Sequence, residues 1–325
     1  MNYINSKQNK LNYLFIEPVI KLKSWNLAKF RFSQIMHNRT NGLYSKFIWN
    51  LFKLIYPKVE LPKSELLSEE QIENSVKNLR DKGWKILDFS LSKEEIDSIL
   101  NFAYKNPTYG QNETEPIFFD PESPPKKQAR YIWRISDLIQ NSVIQKLIKD
   151  SAIHQIAQEY LGSKPILSHL TLWLDPVSEN KSYQPHVYHQ DTDGPKYLKF
   201  FIYITDVDEN SCPHSYIQGT HSFSKNINFA ETKRYSDKEL LEFYGKENEI
   251  TFIAPAGTVI AEDTMGFHRG TVPKIGYRLL VQFEYAIQDI PYIREYDNLE
   301  SKEFQKVKID GLDKDIQKIV KKMFY

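Results

Sequence analysis

Apolar residues along this chain follow one period early and another late. From Ser68 to Gly162 they recur every three or four positions, the spacing of helices. From Pro165 onward they alternate or run in short blocks, the spacing of strands. "SEEQIENSVKNLRDKG" (68–83) predicts a helix opened by Ser68, with Gln71 three residues on as a capping box, and stopped at Gly83. "WKILDF" predicts a short strand, and "SLSKEEIDSILNFAYKN" repeats the cap-and-helix pattern with Ser92 and Glu95. Residues 106–128 are Pro-rich and predict a loop, while "IQKLIKDSAIHQIAQEYLG" (144–162) predicts one helix or two short ones. Seven strand-like runs follow, separated by turn residues: "PILSHLTLWLDP", "SYQPHVYHQD", "KYLKFFIYITDV", "HSYIQGTH", "ITFIAPAG", "TVIAED" and "RLLVQFEYAI". Residues 226–247 read as a polar, helix-like insertion, and the tail from Leu299 reads as helical. Helices first and many short strands afterwards predict an α+β chain, mainly β in its core. The expected architecture is an antiparallel barrel or jelly roll flanked by N-terminal helices.

Charge adds a division that periodicity does not show. Residues 1–58 hold ten Lys/Arg against one acidic residue, Glu17, a net +9, which leaves −8 for the rest of a chain whose total is +1. Within that segment "SKFIWNLFKLIYPK" (45–58) mixes apolar and aromatic side chains with Lys46, Lys53 and Lys58. It predicts a basic helix with two readings: packing on the main domain, or weak peripheral contact with an anionic membrane or an acidic partner, led by Trp49, Phe52 and Ile55. The expected organisation is a basic extension over residues 1–60 and a catalytic domain over 61–325, with "PKVELPKSELL" as the join. A near-neutral total gives no nucleic-acid footprint. A polar N-terminus, no run of 18 apolar residues and a single cysteine, Cys212, point to a cytoplasmic chain without disulfides.

The chemistry concentrates in "QPHVYHQDTDGPKYLKFFIYITDVDEN" (184–210). On a strand, positions i and i+2 share a face, so His189 and Asp191 converge while Gln190 and His186 point away. One imidazole beside one carboxylate is two-thirds of the facial triad of non-haem Fe(II) sites. "GFHRGTVPKIGYRLLVQFEY" supplies a second histidine, His268. A hairpin centred on Pro273 would set it opposite Arg278, facing the same cavity. A guanidinium there suits the far carboxylate of a dicarboxylate whose near end chelates the metal, as 2-oxoglutarate does.

These motifs, in this order, resemble the phytanoyl-CoA dioxygenase family of Fe(II)/2-oxoglutarate-dependent oxygenases. The matching elements are His189 and Asp191, Lys199 on the next strand, the turn at Asp206 and Val207, "GTH" at 219–221, His268, and Arg278 ten residues later. The resemblance covers roughly residues 68–290. It departs from the family in Tyr188 before the HxD, in "NSCP" where "NGP" is usual, and in "QGTH" for the family's "PGSH". It implies a double-stranded β-helix (a cupin-like jelly roll), iron held by His189, Asp191 and His268, and 2-oxoglutarate bound by Arg278. Oxidative decarboxylation to succinate and CO2 would then be coupled to oxidation of a C–H bond, with O2 as the other co-substrate. Asp191 is present, which speaks against halogenation.

Period-2 counting puts Lys199, Phe201, Tyr203 and Thr205 on one strand face; Lys199 and Tyr203, with Thr271 just past His268, are second-tier candidates for contact with the co-substrate. Other polar residues read as structural. His214 and His221 are expected in turns or at the surface, Glu262 and Asp263 in solvent, and Cys212 as a packing residue. Arg130 and Arg134, four residues apart, have two readings: facing an anionic substrate, or standing solvated on a half-buried helix or strand. Three other outcomes stay open: desaturation or epimerisation at the same metal, a cupin-like metal-binding protein, and a non-catalytic membrane-peripheral protein. The primary substrate, the partner of this site, is a small molecule of unassigned class.

Overall fold

The computed structural model describes residues 25–110, 113, 115–179, 187–222, 235–288, 290 and 311–324. Helices α1 (Trp25–Arg39) and α2 (Leu43–Ile55) form a hairpin through Asn41 and Gly42, both at positive φ. The next elements are α3 (Glu69–Lys82), β1 (Trp84–Ser90) and α4 (Lys93–Lys105). Both predicted capping boxes are present, with Ser68 and Gln71, then Ser92 and Glu95, satisfying each other's backbone donors.

The Pro-rich stretch expected as a loop carries two short strands, β2 (Thr108–Gly110) and β3 (Pro116–Ile117), which join β4 (Tyr131–Trp133) at a sheet edge. The helical spacing over 144–162 resolves into α6 (Ser142–Lys149) and α7 (Ala152–Leu161), preceded by the single turn α5 (Ile135–Leu138). Asp150 breaks them by taking an extended backbone and turning its carboxylate to Ser64 and to the backbone of Glu65 and Ala152.

The remaining elements are β5 (Ile166–Pro176), β6 (Tyr197–Tyr203), β7 (His214–Ile217), α8 (Asp237–Tyr244), β8 (Glu249–Phe252), β9 (Thr258–Glu262), β10 (His268–Gly270), β11 (Tyr277–Ala286) and α9 (Lys314–Phe324). Strands pair antiparallel in an eight-stranded sheet, β1-β9-β6-β11-β5-β4-β2-β3, and a three-stranded sheet, β10-β7-β8. The core is an antiparallel double-stranded β-helix with helices from the N-terminal part laid against it, as the sequence pattern predicts. The expected insertion is represented by α8; its residues 226–234 and His186 lie outside the described residues.

Register explains why β6 is apolar on both faces. Lys199 pairs with Glu262 and Glu284, and Phe201 with Ile260 and Gln282, so these residues share the inner face with Tyr203, Leu280 and Trp173. Leu198, Phe200 and Ile202 occupy the other face and join Val259, Leu279, Val281, Phe283 and Leu172 in the main core beneath α3, α6, α7 and α9. A smaller cluster of Phe201, Tyr203, Tyr216, Phe252, Ile260 and Leu280 fills the space between the two sheets.

The hairpin predicted to set His268 opposite Arg278 does not form. β10 pairs with β7 (His268 opposite Tyr216), whereas β11 pairs with β5 and β6 (Arg278 opposite Asp175). Residues 271–275 instead cross from one sheet to the other, held by Thr271 N to Pro213 O (3.0 Å) and Lys274 N to Asn210 O (2.7 Å).

The described part of the basic N-terminal segment, from residue 25 onward, is packed on the barrel. Trp49 Nε1 donates to Leu161 O (2.6 Å), Phe52 lies against the main core, and Phe30 clusters with Tyr197, Met265, Ala286 and Ile290. Among the described residues no helix is long and apolar enough to cross a membrane.

Candidate metal centre

His189 and His268 are adjacent because their backbones pair. His189 N donates to His268 O (3.0 Å) and His268 N to His189 O (2.9 Å), an antiparallel bridge that joins the loop before β6 to the start of β10. Asp191 follows, with its N–H on Thr264 O (2.9 Å). One donor atom from each of His189, Asp191 and His268 lies within 4.8 Å of the others.

Both imidazoles are oriented by the same device. His189 Nδ1 meets Val187 O at 2.9 Å, and His268 Nδ1 meets Gly266 O at 3.0 Å. A carbonyl oxygen only accepts, so each Nδ1 carries the proton and, in the neutral ring, each Nε2 presents its lone pair. Those Nε2 atoms stand 3.5 Å and 3.4 Å from the two carboxylate oxygens of Asp191. This is the tautomer that metal ligation by Nε2 requires, and a backbone carbonyl is a usual second partner for such a ligand.

The carboxylate is held ionised. Burial alone would raise the Asp191 pKa, but Lys199, His268 and His189 hold it well below the usual range. Lys199 Nζ donates to Asp191 Oδ2 (2.8 Å) and Asp193 Oδ2 (2.7 Å) and lies 3.7 Å from Glu284. Burial pushes the Glu284 carboxyl up, with Asp193 and Asp191 adding to the shift against Lys199. Two imidazoles and a carboxylate on one side of a point fit a divalent first-row metal with its remaining positions open.

The turn that delivers His268 is pinned from beneath. Asp263, expected in solvent, is fully buried; its carboxylate accepts from Lys196, Tyr160 and Met265 N, and its carbonyl from Tyr216 Oη (3.0 Å). A Cβ at Gly266 would fall 2.0 Å from Tyr216 Oη, so glycine is required where the turn crosses that ring. Glu262 is also fully buried, contrary to its expected solvation; of the two histidines expected in turns or at the surface, His221 is in a turn and His214 on β7, and both are nearly buried. His214 stacks on His268 at 5.4 Å and brings Nε2 to 3.0 Å from Glu262, out of line for a hydrogen bond.

Arg278 reaches this space from β11. Its Nη1 donates to Cys212 O (2.6 Å) and its Nη2 to Asp175 (2.6 Å), whose other oxygen accepts from Arg130 Nε (2.8 Å). Arg130 is thus an ion-pair partner stacked on Trp173 (3.8 Å) at the edge of strand β4. Two guanidiniums on one carboxylate leave this group of three side chains net positive. A Cβ at Gly270 would stand 3.5 Å from Arg278 Nη2, so the guanidinium lies against β10 two residues beyond His268. Cys212 takes φ 66°, in the left-handed region, and its carbonyl faces Arg278; burial pushes its thiol up to about 12.

The other predicted contacts are distributed. Lys199 belongs to the Asp191 end. Tyr203 Oη donates to Phe252 O (3.2 Å), and Thr271 Oγ1 to Pro213 O (3.2 Å), both nearer Arg278. Asp193, Glu262, Glu284 and Asp263 were not expected at the site, and Arg130 takes the place beside it that one of its two readings allowed. Parity could have found Glu284, which lies at even steps from Arg278 along one strand. Several inner-face polar atoms are buried with no hydrogen-bond partner: both oxygens of Glu262, Glu284 Oε1, Trp84 Nε1, Trp173 Nε1 and Arg278 Nε. Buried polar groups are nearly always paired, so a cluster of orphans beside the triad marks a space built to receive a polar ligand.

No family model matches the chain, and no curated protein does. Among solved structures it is similar to the non-heme alpha ketoglutarate dependent epimerase SnoN from nogalamycin biosynthesis. That likeness has a TM-score of 0.50 and 14% identity, over 67% of this chain and 84% of that one. Weaker likenesses include EctD from S. alaskensis with bound Fe (TM-score 0.45, 15% identity, 71% and 82% covered). Another is HygX from Streptomyces hygroscopicus with nickel and 2-oxoglutarate bound (0.44, 16%, 68% and 87%). At such identities what is shared is the fold: the first of them has the same antiparallel double-stranded β-helix.

Proposed function

We propose that this protein is a non-haem Fe(II)- and 2-oxoglutarate-dependent oxygenase acting on a small molecule, with His189, Asp191 and His268 as the iron ligands. The observation that carries this reading is the paired orientation of the two imidazoles, each Nδ1 on a carbonyl and each Nε2 toward Asp191. Iron, 2-oxoglutarate and O2, bound together, supply oxidation of an unactivated C–H bond, with hydroxylation as the favoured outcome and succinate and CO2 as co-products.

The chain's own residues set the stage for that chemistry. Lys199 keeps Asp191 ionised and fixes one of its oxygens. Arg278, with a fork already preorganised by Asp175 and Cys212 O, offers the positive end for the distal carboxylate of 2-oxoglutarate. Tyr203 and Thr271 wall that end, their hydroxyls tied to backbone carbonyls. Within this class the order of motifs favours a relative of the phytanoyl-CoA dioxygenases, and the single cysteine of the chain suits a cytoplasmic, membrane-peripheral setting.

The test is anaerobic titration of the full chain with Fe(II) and 2-oxoglutarate, then succinate release on admitting O2. His189→Ala and His268→Ala should abolish iron binding and turnover, and Asp191→Ala should do the same or leave a weak site. Full succinate release by any of the three variants removes the assignment.

A further inference from the structure

Helix α2 is apolar on two opposite sides, and the barrel uses only one of them. Ser45, Trp49 and Phe52 face inward: Ser45 is buried, Trp49 donates to Leu161 O, and Phe52 packs on the main core. Leu43, Phe47, Leu51 and Leu54 follow the i, i+4, i+8, i+11 spacing of a single helical stripe on the other side. Leu43 and Phe47 are each 65% exposed and Leu54 83%. Ile55 lies beside the stripe, and Phe32 of α1, edge-on to Tyr44, extends it across the hairpin.

This concentration is not what an ordinary surface shows. Seven of the fourteen exposed large apolar side chains among the described residues fall between Phe32 and Tyr56. Scattered apolar residues need no explanation, but a contiguous patch marks a surface that something covers. The structure also revises the sequence expectation. Trp49 and Phe52, expected to lead any surface contact, are spent on the fold, and the stripe of Leu43, Phe47, Leu51 and Leu54 takes their place.

Charge identifies the occupant. Residues 29–58 contain six Lys/Arg and no Asp or Glu, while the chain from residue 59 onward carries −8. A second copy of the chain, meeting stripe on stripe as a symmetric pair would, brings two strips of the same sign together. A neutral apolar partner would gain nothing from the basic rim. An anionic bilayer satisfies both features: apolar side chains enter the headgroup boundary while Arg31 and Lys46 stay at the phosphate level. We propose that the α1–α2 hairpin docks the protein on an anionic lipid surface, with the Leu43–Leu54 stripe inserted and the acidic remainder of the molecule turned away. The same hairpin touches the metal loop, through Gln34 Nε2 on Thr192 O (3.1 Å) and Oγ1 (3.0 Å), so the docked face adjoins the loop that carries Asp191. The proposal does not depend on which reaction the site performs.

The experiment is co-flotation of the full-length protein with vesicles of phosphatidylcholine alone or of phosphatidylcholine with phosphatidylserine, at low and high salt. Binding is expected only to the serine-containing vesicles and should fall with salt. Leu43→Ser/Phe47→Ser/Leu54→Ser, and separately Arg31→Glu/Lys46→Glu, should each weaken it by about tenfold or more. Circular dichroism and the melting temperature should be unchanged, since these side chains are exposed. If the triple variant fails to fold, Leu54→Ser and the charge-reversal variant still decide the matter. Equal binding to both vesicle types, no binding to either, or a concentration-dependent dimer that the triple variant abolishes would each overturn the proposal.

Discussion

The two faces of the large sheet solve opposite problems with alternating residues of the same strands. On the outer face Leu198, Phe200, Ile202, Val281 and Phe283 are fully enclosed by helices and other strands. On the inner face Lys199, Glu262, Glu284 and Arg278 are just as buried, yet several of their polar atoms have no partner. Two buried histidines show the contrast most directly. Beneath the outer face, burial lowers His154 to about 4. Beside the inner face, burial also pulls His268 down, but the Asp191 carboxylate overrides it and the pKa is raised. Burial alone therefore does not distinguish the site from the core; the distinction lies in what faces each group.

The largest effect that separates the faces comes from neighbouring phenylalanines. Phe200 is fully buried on the outer face, with its ring 5.7 Å from that of Tyr285. Truncating it to alanine is expected to cost about 3–5 kcal/mol, the range for emptying a packed aromatic site. Phe201 points inward toward His214 (5.2 Å) and Trp173 (6.3 Å), in the smaller cluster beside the ligand space. Phe201→Ala should cost less stability and more turnover. Urea denaturation and succinate release on both variants give the comparison, and equal stability losses would mean that the two faces are packed alike.

This division was largely legible in the sequence because strand parity is strict. Counting in twos put Lys199, Phe201 and Tyr203 on one face, and the inner surface of β6 follows that count. The cap residues fixed α3 and α4 because their hydrogen bonds are local. Relations across sheets were not legible. His268 and Arg278 approach through a chain that changes sheets between residues 271 and 275, and no local rule specifies where a strand leaves one sheet for another. Glu262 and Asp263 were misplaced for a related reason. Acidic residues are usually solvated; the arrival of Lys196 and Tyr160 from distant segments makes the burial of Asp263 tolerable, while Glu262 is buried on the inner face with neither oxygen hydrogen-bonded.

A smaller effect follows from His154. Its Nε2 lies 2.8 Å from Ile148 O and its Nδ1 3.0 Å from Tyr285 Oη, so the neutral ring donates to the carbonyl and accepts from the phenol. Protonation would put a proton on Nδ1 and leave the phenol hydrogen without an acceptor in an apolar core. With a folded pKa of about 4 against 6.5, the unfolded chain takes up the proton first. The stabilisation is complete above pH 6.5 and drains away as pH falls toward 4, reaching about 2 kcal/mol lost by pH 5. His154→Gln should flatten that acid limb in urea melts at pH 7 and pH 5. An unchanged difference between the two pH values would assign the limb to other groups.

The smallest predicted effect tests the inner face where the proposal is most specific. Arg278 holds its fork against Asp175 and Cys212 O, while Arg130 occupies the other oxygen of Asp175. Arg278→Lys keeps the charge and leaves Asp175 paired through Arg130, so the change removes the planar fork rather than the ion pair. A lysine offers a point charge where the distal carboxylate of 2-oxoglutarate needs two parallel donors. The KM for 2-oxoglutarate should rise about tenfold, equivalent to about 1.4 kcal/mol, while Fe(II) affinity, set by His189, Asp191 and His268, stays the same. Arg130→Lys should move the KM less, because that side chain stands behind Asp175 and reaches the ligand space through it. If Arg130→Lys raises the KM and Arg278→Lys does not, the two guanidiniums exchange roles. If neither does while succinate is still released, the dicarboxylate is held at the other end of the barrel, where Lys199 stands between Asp191 and Asp193.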